Sequence, residues 1–139
     1  MFVKKRVLVV DDSPFFLKVL SDLLAEDFIV ETADSGEAAL GLLESSETKG
    51  SASFDLVITD LEMPGLSGYE VAQFVKGKNR QNKFLPVIML TEKEITKDEA
   101  REYGCATYIP KSNLKKVVSM AKILFAANAG TSSHQQSQV

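Results

Sequence analysis

The 139-residue sequence has one cysteine, Cys105, one histidine, His134, and no apolar run near the roughly 20 residues that cross a bilayer. A lone cysteine cannot close an internal disulfide, so packing alone must hold the fold, and a reducing cytoplasmic setting with no membrane partner is expected. His134 has no metal-ligating companions around it, which gives no support to a functional role. The opening MFVKKRVLVV runs too soon into acidic residues to read as a secretory signal. Positive charge is not in excess either. Sixteen Lys and Arg stand against nineteen Asp and Glu, a formal net charge of −3, so direct nucleic-acid binding is not expected and a protein or small charged ligand is the better partner. What the chain does have is 45% hydrophobic residues, enough for the core of a single domain.

Five short runs rich in β-branched residues read as strands: Val7 to Val10, Ile29 to Ala33, Leu56 to Thr59, Val87 to Leu90 and Ala106 to Ile109. Each is nearly continuous rather than alternating, as in strands covered on both faces. Helical periods lie between them. Ser13 as N-cap and Pro14 at the first helical position precede Phe16, Leu20, Leu23 and Leu24 on one stripe. Ser35 opens a second helix burying Ala39, Leu40 and Leu43. Ser67 with Glu70, and Thr96 with Glu99, have capping-box spacing, and Ser112 is read as the start of the last helix. Such alternation predicts an α/β domain: a five-stranded parallel sheet, doubly wound, with helices on both faces. Residues 1–125 are assigned to it. The polar, Ser/Gly-rich stretch 44–53 reads as a surface loop, and 126–139 as a disordered tail or linker, since it has no charged residue and little to pack.

In an open parallel sheet, ligands bind beyond the carboxyl ends of the strands. Asp11 and Asp12 follow the first strand, Asp60 the third, Thr91 the fourth, and Lys111 stands just after the fifth. Three carboxylates so close raise one another's pKa unless a cation compensates. A hard, oxygen-ligated Mg²⁺ suits them, with adjacent acids supplying one direct and one water-mediated or outer ligand. Lys111 and Thr91 would then donate to phosphate oxygens, which leaves Asp60 as a nucleophile able to form an aspartyl-phosphate.

The motifs VLVVDDSP, DLVITDLEMPGLSGYE, PVIMLT and YIPK occur in an order and at separations that resemble the receiver domains of two-component response regulators. The resemblance runs from about Lys5 to about Phe125 and implies the flavodoxin-like receiver fold. Carried over residue by residue, it implies that Asp60 is the phosphoacceptor and Asp12 a direct Mg²⁺ ligand. Asp11 would act mainly through water, and the backbone carbonyl of Glu62 would complete the metal shell. Lys111 would pair with the phosphoryl group, Thr91 would close onto it, and Tyr108 would be the aromatic switch. The implied partners are a sensor histidine kinase or phosphotransfer protein on one side, and a downstream protein or fused output domain on the other. Such a module catalyses only its own phosphorylation and dephosphorylation and is not an enzyme toward external metabolites.

The sequence also departs from the family pattern. Lys111 is followed by Ser112 where most receivers have proline, so the Lys111–Ser112 bond is expected to be trans. Glu92 replaces a small residue and should slow small acyl-phosphate donors. Glu62 and Lys93 occupy the positions that tune dephosphorylation. The stretch from Thr91 to Gly104 is short, which leaves the fourth helix, starting near Lys97, barely two turns. These departures keep a second reading open: a degenerate receiver that binds partners without phosphorylation. A haloacid-dehalogenase-type hydrolase would want an Asp-x-Asp at the first strand end, and a flavodoxin-like cofactor site a Gly-rich loop there; DDSPF offers neither.

Overall fold

The computed structural model of the chain describes residues 4–48, 53–79 and 85–137. Strands β1 (Arg6–Val10), β2 (Ile29–Ala33), β3 (Leu56–Asp60), β4 (Val87–Thr91) and β5 (Thr107–Pro110) form one parallel sheet in the order β2-β1-β3-β4-β5. Successive side chains on a strand point to opposite faces, and the two faces of this sheet carry separate apolar clusters. Val7, Val9, Ile58, Ile88, Leu90 and Ile109 pack on one side with Leu20 and Leu24 of α1 (Pro14–Leu24) and Val117 and Ala121 of α5 (Lys116–Ser137). Leu8, Val10, Val57 and Met89 pack on the other with α2 (Gly36–Thr48), α3 (Gly68–Asn79) and α4 (Lys97–Glu102), through Ala39, Leu43, Val71, Val75 and Ala100. Leu20 and Leu24 lose all solvent contact, which contributes about 1.5–3 kcal/mol each. The doubly wound α/β expectation therefore holds.

Local signals explain most helix starts. The Ser13 hydroxyl accepts from the Phe16 N–H at 3.4 Å, and Pro14 begins α1. The Ser35 hydroxyl accepts from the Ala38 N–H at 3.0 Å. Ser67 and Glu70 form a reciprocal capping box, each side chain accepting from the other's N–H at 3.3 Å. Thr96 caps α4 through the Glu99 N–H at 3.1 Å, and α4 is indeed only six residues long.

Three boundaries differ from expectation. Ser112 does not begin an α-helix: Lys111–Asn113 form a 3₁₀ turn and α5 starts at Lys116. Helix α2 runs to Thr48, so residues 44–48 are helical rather than loop, while 49–52 lie outside the described residues. Glu and Ser tolerate a helix once upstream turns carry it. Helix α5 continues to Ser137 where a tail was expected from Ala126, since Ala126, Ala127 and Ala129 favour helix and no proline stops it. Among the described residues no helix is long and apolar enough to cross a membrane.

Candidate functional site

Strand register decides which side chains meet. Val10 pairs with Thr59, so the residues that follow, Asp11 and Asp60, stand side by side where the strand order reverses between β1 and β3. Asp60 pairs with Leu90, which brings Thr91 one step further along, and Thr91 pairs with Pro110, so Lys111 emerges at the same rim. A cleft of about 320 Å³ opens there, lined by Asp12, Asp60, Glu62, Thr91, Glu92 and Lys111, with Phe16 and Ser13 on the α1 side.

The carboxylates converge as expected. One ligand oxygen from each of Asp11, Asp12 and Asp60 falls within 4.8 Å of the others. Asp11 is fully buried and Asp60 is 4% exposed, while Asp12 is exposed at the rim. Lys111, its side chain 7% exposed, puts Nζ 2.9 Å from Asp11 Oδ2 and 3.1 Å from Asp60 Oδ2. Asp11 Oδ1 accepts from the Ser13 N–H at 2.9 Å. Its Oδ2 is buried with the Lys111 ammonium as its polar neighbour.

One ammonium between two buried carboxylates leaves the cluster short of positive charge. Burial and then the neighbouring Asp11 carboxylate push the Asp60 pKa up to about 6, against hydrogen bonding and attraction from Lys111 and a hydrogen bond from the Glu62 N–H. Burial pulls the Lys111 pKa down, but the hydrogen bonds it donates to Asp11 and Asp60 and the attraction of those carboxylates outweigh it and hold the lysine above its ordinary value. Buried oxygens in deficit of cation, with an exposed carboxylate at the rim, are a donor set that fits a hard divalent ion.

Backbone packing fixes the position of Asp60. The Leu61 N–H donates to the Leu90 carbonyl, and the Gly68 N–H donates to the Leu61 carbonyl, both at 2.9 Å. A Cβ on Gly68 would stand 2.0 Å from the Asp60 carbonyl oxygen, so only glycine lets α3 start this close to the strand end.

The other expected residues divide. Thr91 is 1% exposed, and its hydroxyl is engaged locally, donating to the Lys93 carbonyl and accepting from the Lys93 N–H, both at 2.9 Å. Glu62, on the cleft wall, pairs with Lys93 at 3.2 Å, both well exposed. Tyr108 does not line the cleft. It is half-buried on β5 opposite Met89 and borders a neighbouring groove with Glu92, Ile95 and Ser112. Among the described residues no peptide bond is cis, so Lys111–Ser112 is trans as expected. Cys105 is buried, and burial pushes its thiol up to about 12, which suits core packing rather than redox chemistry.

Sequence reasoning missed two contributors. Phe16, read only as part of the apolar stripe of α1, lies with its ring face under the Lys111 ammonium, 4.2 Å from Nζ to centroid. Its place one helical turn after Asp12 was the available signal. Gly68, a poor helix former at a helix start, was the other.

The chain resembles many proteins with this arrangement. It is 37% identical over 107 residues to a probable cyclic di-GMP phosphodiesterase of Vibrio cholerae, a match covering 76% of this chain and 23% of that protein. The chain thus spans about a quarter of that relative's length. It is 33% identical over 111 residues to the chemotaxis protein CheY of Pseudomonas aeruginosa, covering 76% of this chain and 83% of CheY. Among solved structures, the response regulator TrrA of Thermotoga maritima, in complex with Mg(2+)-BeF, superposes with a TM-score of 0.69 at 34% identity, over 86% of this chain and 98% of TrrA. The family model described as the response regulator receiver domain matches residues 7–122. That span takes in the carboxylate cluster, its lysine and the whole interior of the sheet, and it places the chain in the receiver-domain family of response regulators.

Proposed function

We propose that the chain is a Mg²⁺-dependent phosphoacceptor working in the cytoplasm, which takes a phosphoryl group from a phosphohistidine onto Asp60 and thereby changes a partner-binding face. The donor is a sensor histidine kinase or phosphotransfer protein, and the receiver of the signal is a downstream protein or fused output domain. The observation that carries this reading is the buried Asp60 carboxylate, 3.1 Å from the Lys111 ammonium and beside Asp11 and Asp12 at the floor of an open cleft.

Asp11, Asp12 and Asp60, with the Glu62 backbone carbonyl, would hold the Mg²⁺, whose charge neutralises the phosphoryl oxygens during transfer. An Asp60 carboxylate oxygen attacks phosphorus in line. The O–P bond forms as the N–P bond of phosphohistidine breaks, and the imidazole leaves with the electron pair. Lys111 stays beside the incoming group and donates to a phosphoryl oxygen. In the reset step a water oxygen attacks phosphorus, the Asp60 O–P bond breaks, and inorganic phosphate departs. No external metabolite is turned over. Glu62 and Glu92 line the cleft, Lys93 pairs with Glu62, and the three tune these rates.

The output follows from Thr91. Once its hydroxyl donates to a phosphoryl oxygen it must give up the Lys93 carbonyl, and the start of the β4–α4 segment moves with it. Tyr108, bordering the groove formed by that segment, reports and stabilises the change. The test is addition of beryllofluoride and Mg²⁺. Saturable binding should shift resonances of Thr91 and Tyr108, and Asp60→Ala should abolish both this response and labelling by a phosphohistidine donor. Intact labelling of the D60A protein would refute the reading, and absence of beryllofluoride binding in the unaltered protein would favour a scaffold that works without phosphorylation.

A further inference from the structure

Lys111 must be held in place without the proline that most receivers put after it. The residue opens a 3₁₀ turn and is followed by Ser112 through a trans bond. Its side chain has four rotatable bonds and a strongly hydrated head, yet the ammonium is almost wholly removed from water. Asp11 and Asp60 attract it, but both are destined for other partners once a metal and a phosphoryl group arrive. A lysine tied only to those two carboxylates would lose its anchor at the moment of transfer.

A third contact is one that neither the metal nor the phosphoryl group can take. The Phe16 ring lies under the ammonium at 4.2 Å, and an aromatic face attracts a desolvated cation through its quadrupole. Phe16 is itself fixed by a closed circuit of contacts. The Ser13 N–H donates to Asp11 Oδ1, the Phe16 N–H donates to the Ser13 hydroxyl, the Phe16 ring carries Lys111 Nζ, and that Nζ faces Asp11 Oδ2. The N-cap of α1 thus ties the ring position to Asp11. A leucine on the same stripe would fill the volume but present no negative face.

We propose that Phe16 is a positioning residue for phosphoryl transfer: its ring holds the Lys111 ammonium over the cleft by a contact for which neither the metal nor the phosphoryl group competes. The rate effect rests on the reading of Asp60 as phosphoacceptor, whereas the Phe16–Lys111 contact does not. The experiment therefore has two arms. In metal-free protein, the Lys111 ε-methylene resonances, assigned with Lys111→Ala, should be displaced by the ring current of Phe16; Phe16→Leu should remove that displacement and Phe16→Tyr should keep it. With Mg²⁺ and phosphoramidate, Phe16→Leu should lower the transfer rate at saturating donor about tenfold, the scale of a desolvated cation–π contact. The Mg²⁺ affinity should stay unchanged, and Phe16→Tyr should restore the rate. Lys111 resonances unaffected by Phe16→Leu would overturn the proposal, as would equal slowing in the Leu and Tyr proteins. If the unaltered protein takes no phosphoryl group, the phosphoacceptor reading fails, and the resonance arm still decides whether the ring holds the lysine.

Discussion

Replacing Asp60 by asparagine should stabilise the metal-free protein at neutral pH. The site places Asp60 in a buried position beside the fully buried Asp11, with Lys111 as the ammonium between them, and Asp60 titrates near 6 rather than 3.8. A folded pKa above the unfolded one means that the native state binds the proton more tightly. The fold is therefore unpenalised below about pH 4, loses stability as pH rises through 6, and carries the full penalty above it. Two pH units correspond to roughly 3 kcal/mol, a figure in which the attraction of Lys111 is already included. Urea unfolding in the presence of a chelator should show Asp60→Asn more stable by about 1–3 kcal/mol at pH 7.5. The gap should close on going to pH 4, where Asp11, Asp12 and Lys111, common to both proteins, cancel. Excess Mg²⁺ should remove most or all of that advantage, since an ion at a hundred times its Kd stabilises the unaltered protein by about 2.7 kcal/mol. An Asp60→Asn protein that is no more stable at pH 7.5, or whose advantage does not change with pH, would refute the account of the cluster as a cation-deficient site.

Two further substitutions probe the scaffold and the donor side. Gly68→Ala should destabilise by about 2 kcal/mol despite the better helix propensity of alanine, because the added carbon meets the Asp60 carbonyl at 2.0 Å; Gly41→Ala in α2, where nothing lies within 4 Å, should instead stabilise by about 0.5–1 kcal/mol in the same unfolding assay. Phe15 is 68% exposed and packs edge-on against Phe16 beside the cleft. Phe15→Ala should slow transfer from a phosphohistidine-bearing protein about tenfold and leave phosphoramidate unaffected, since an exposed aromatic at the site rim serves a macromolecular partner. Equal effects on both donors would assign Phe15 to the fold instead.

The strands were legible because their apolar runs are long enough to be covered by helices: β3 and β4 are buried throughout, and β1 at every residue after Arg6. Strand β2 shows the limit of that inference: at the sheet edge Ile29 is 42% exposed, so an apolar run there does not mean two covered faces. Asp11, Asp12, Asp60, Thr91 and Lys111 were legible as a group because parallel strands bring their carboxyl ends to one rim whatever the loops do. Phe16 was not. Periodicity assigns a residue to a helical stripe but does not say that the first turn of the stripe reaches past the core to the rim. Gly68 depends on a contact with a carbonyl eight residues earlier, which spacing alone does not reveal. The start of α5 misled for a local reason, since Ser112 has N-cap chemistry but the chain makes a 3₁₀ turn before the helix proper.

The hydrogen bonding of Thr91 sets the size of the proposed switch. A hydroxyl has one proton, and here the Lys93 carbonyl already accepts it. Reaching a phosphoryl oxygen is then an exchange of a neutral hydrogen bond for a charge-assisted one, roughly twice as strong, so the net gain is on the order of 1–1.5 kcal/mol. That gain shifts a two-state population about tenfold. The exposed Glu62–Lys93 pair opposes the exchange only weakly, as surface pairs contribute about 0–1 kcal/mol. What receives the push is a six-residue α4, too short to persist by its own hydrogen bonds. Its far end is fastened to α3 by the Tyr69–Tyr103 edge contact and by Gln73 donating to the Tyr103 carbonyl at 3.0 Å. The end at Lys93, held by Thr91 and an exposed ion pair, and the fastened end at Tyr103 make the segment between them the part that yields, so the population shift centres on residues 92–102 and on Tyr108 beside them and leaves the sheet in place.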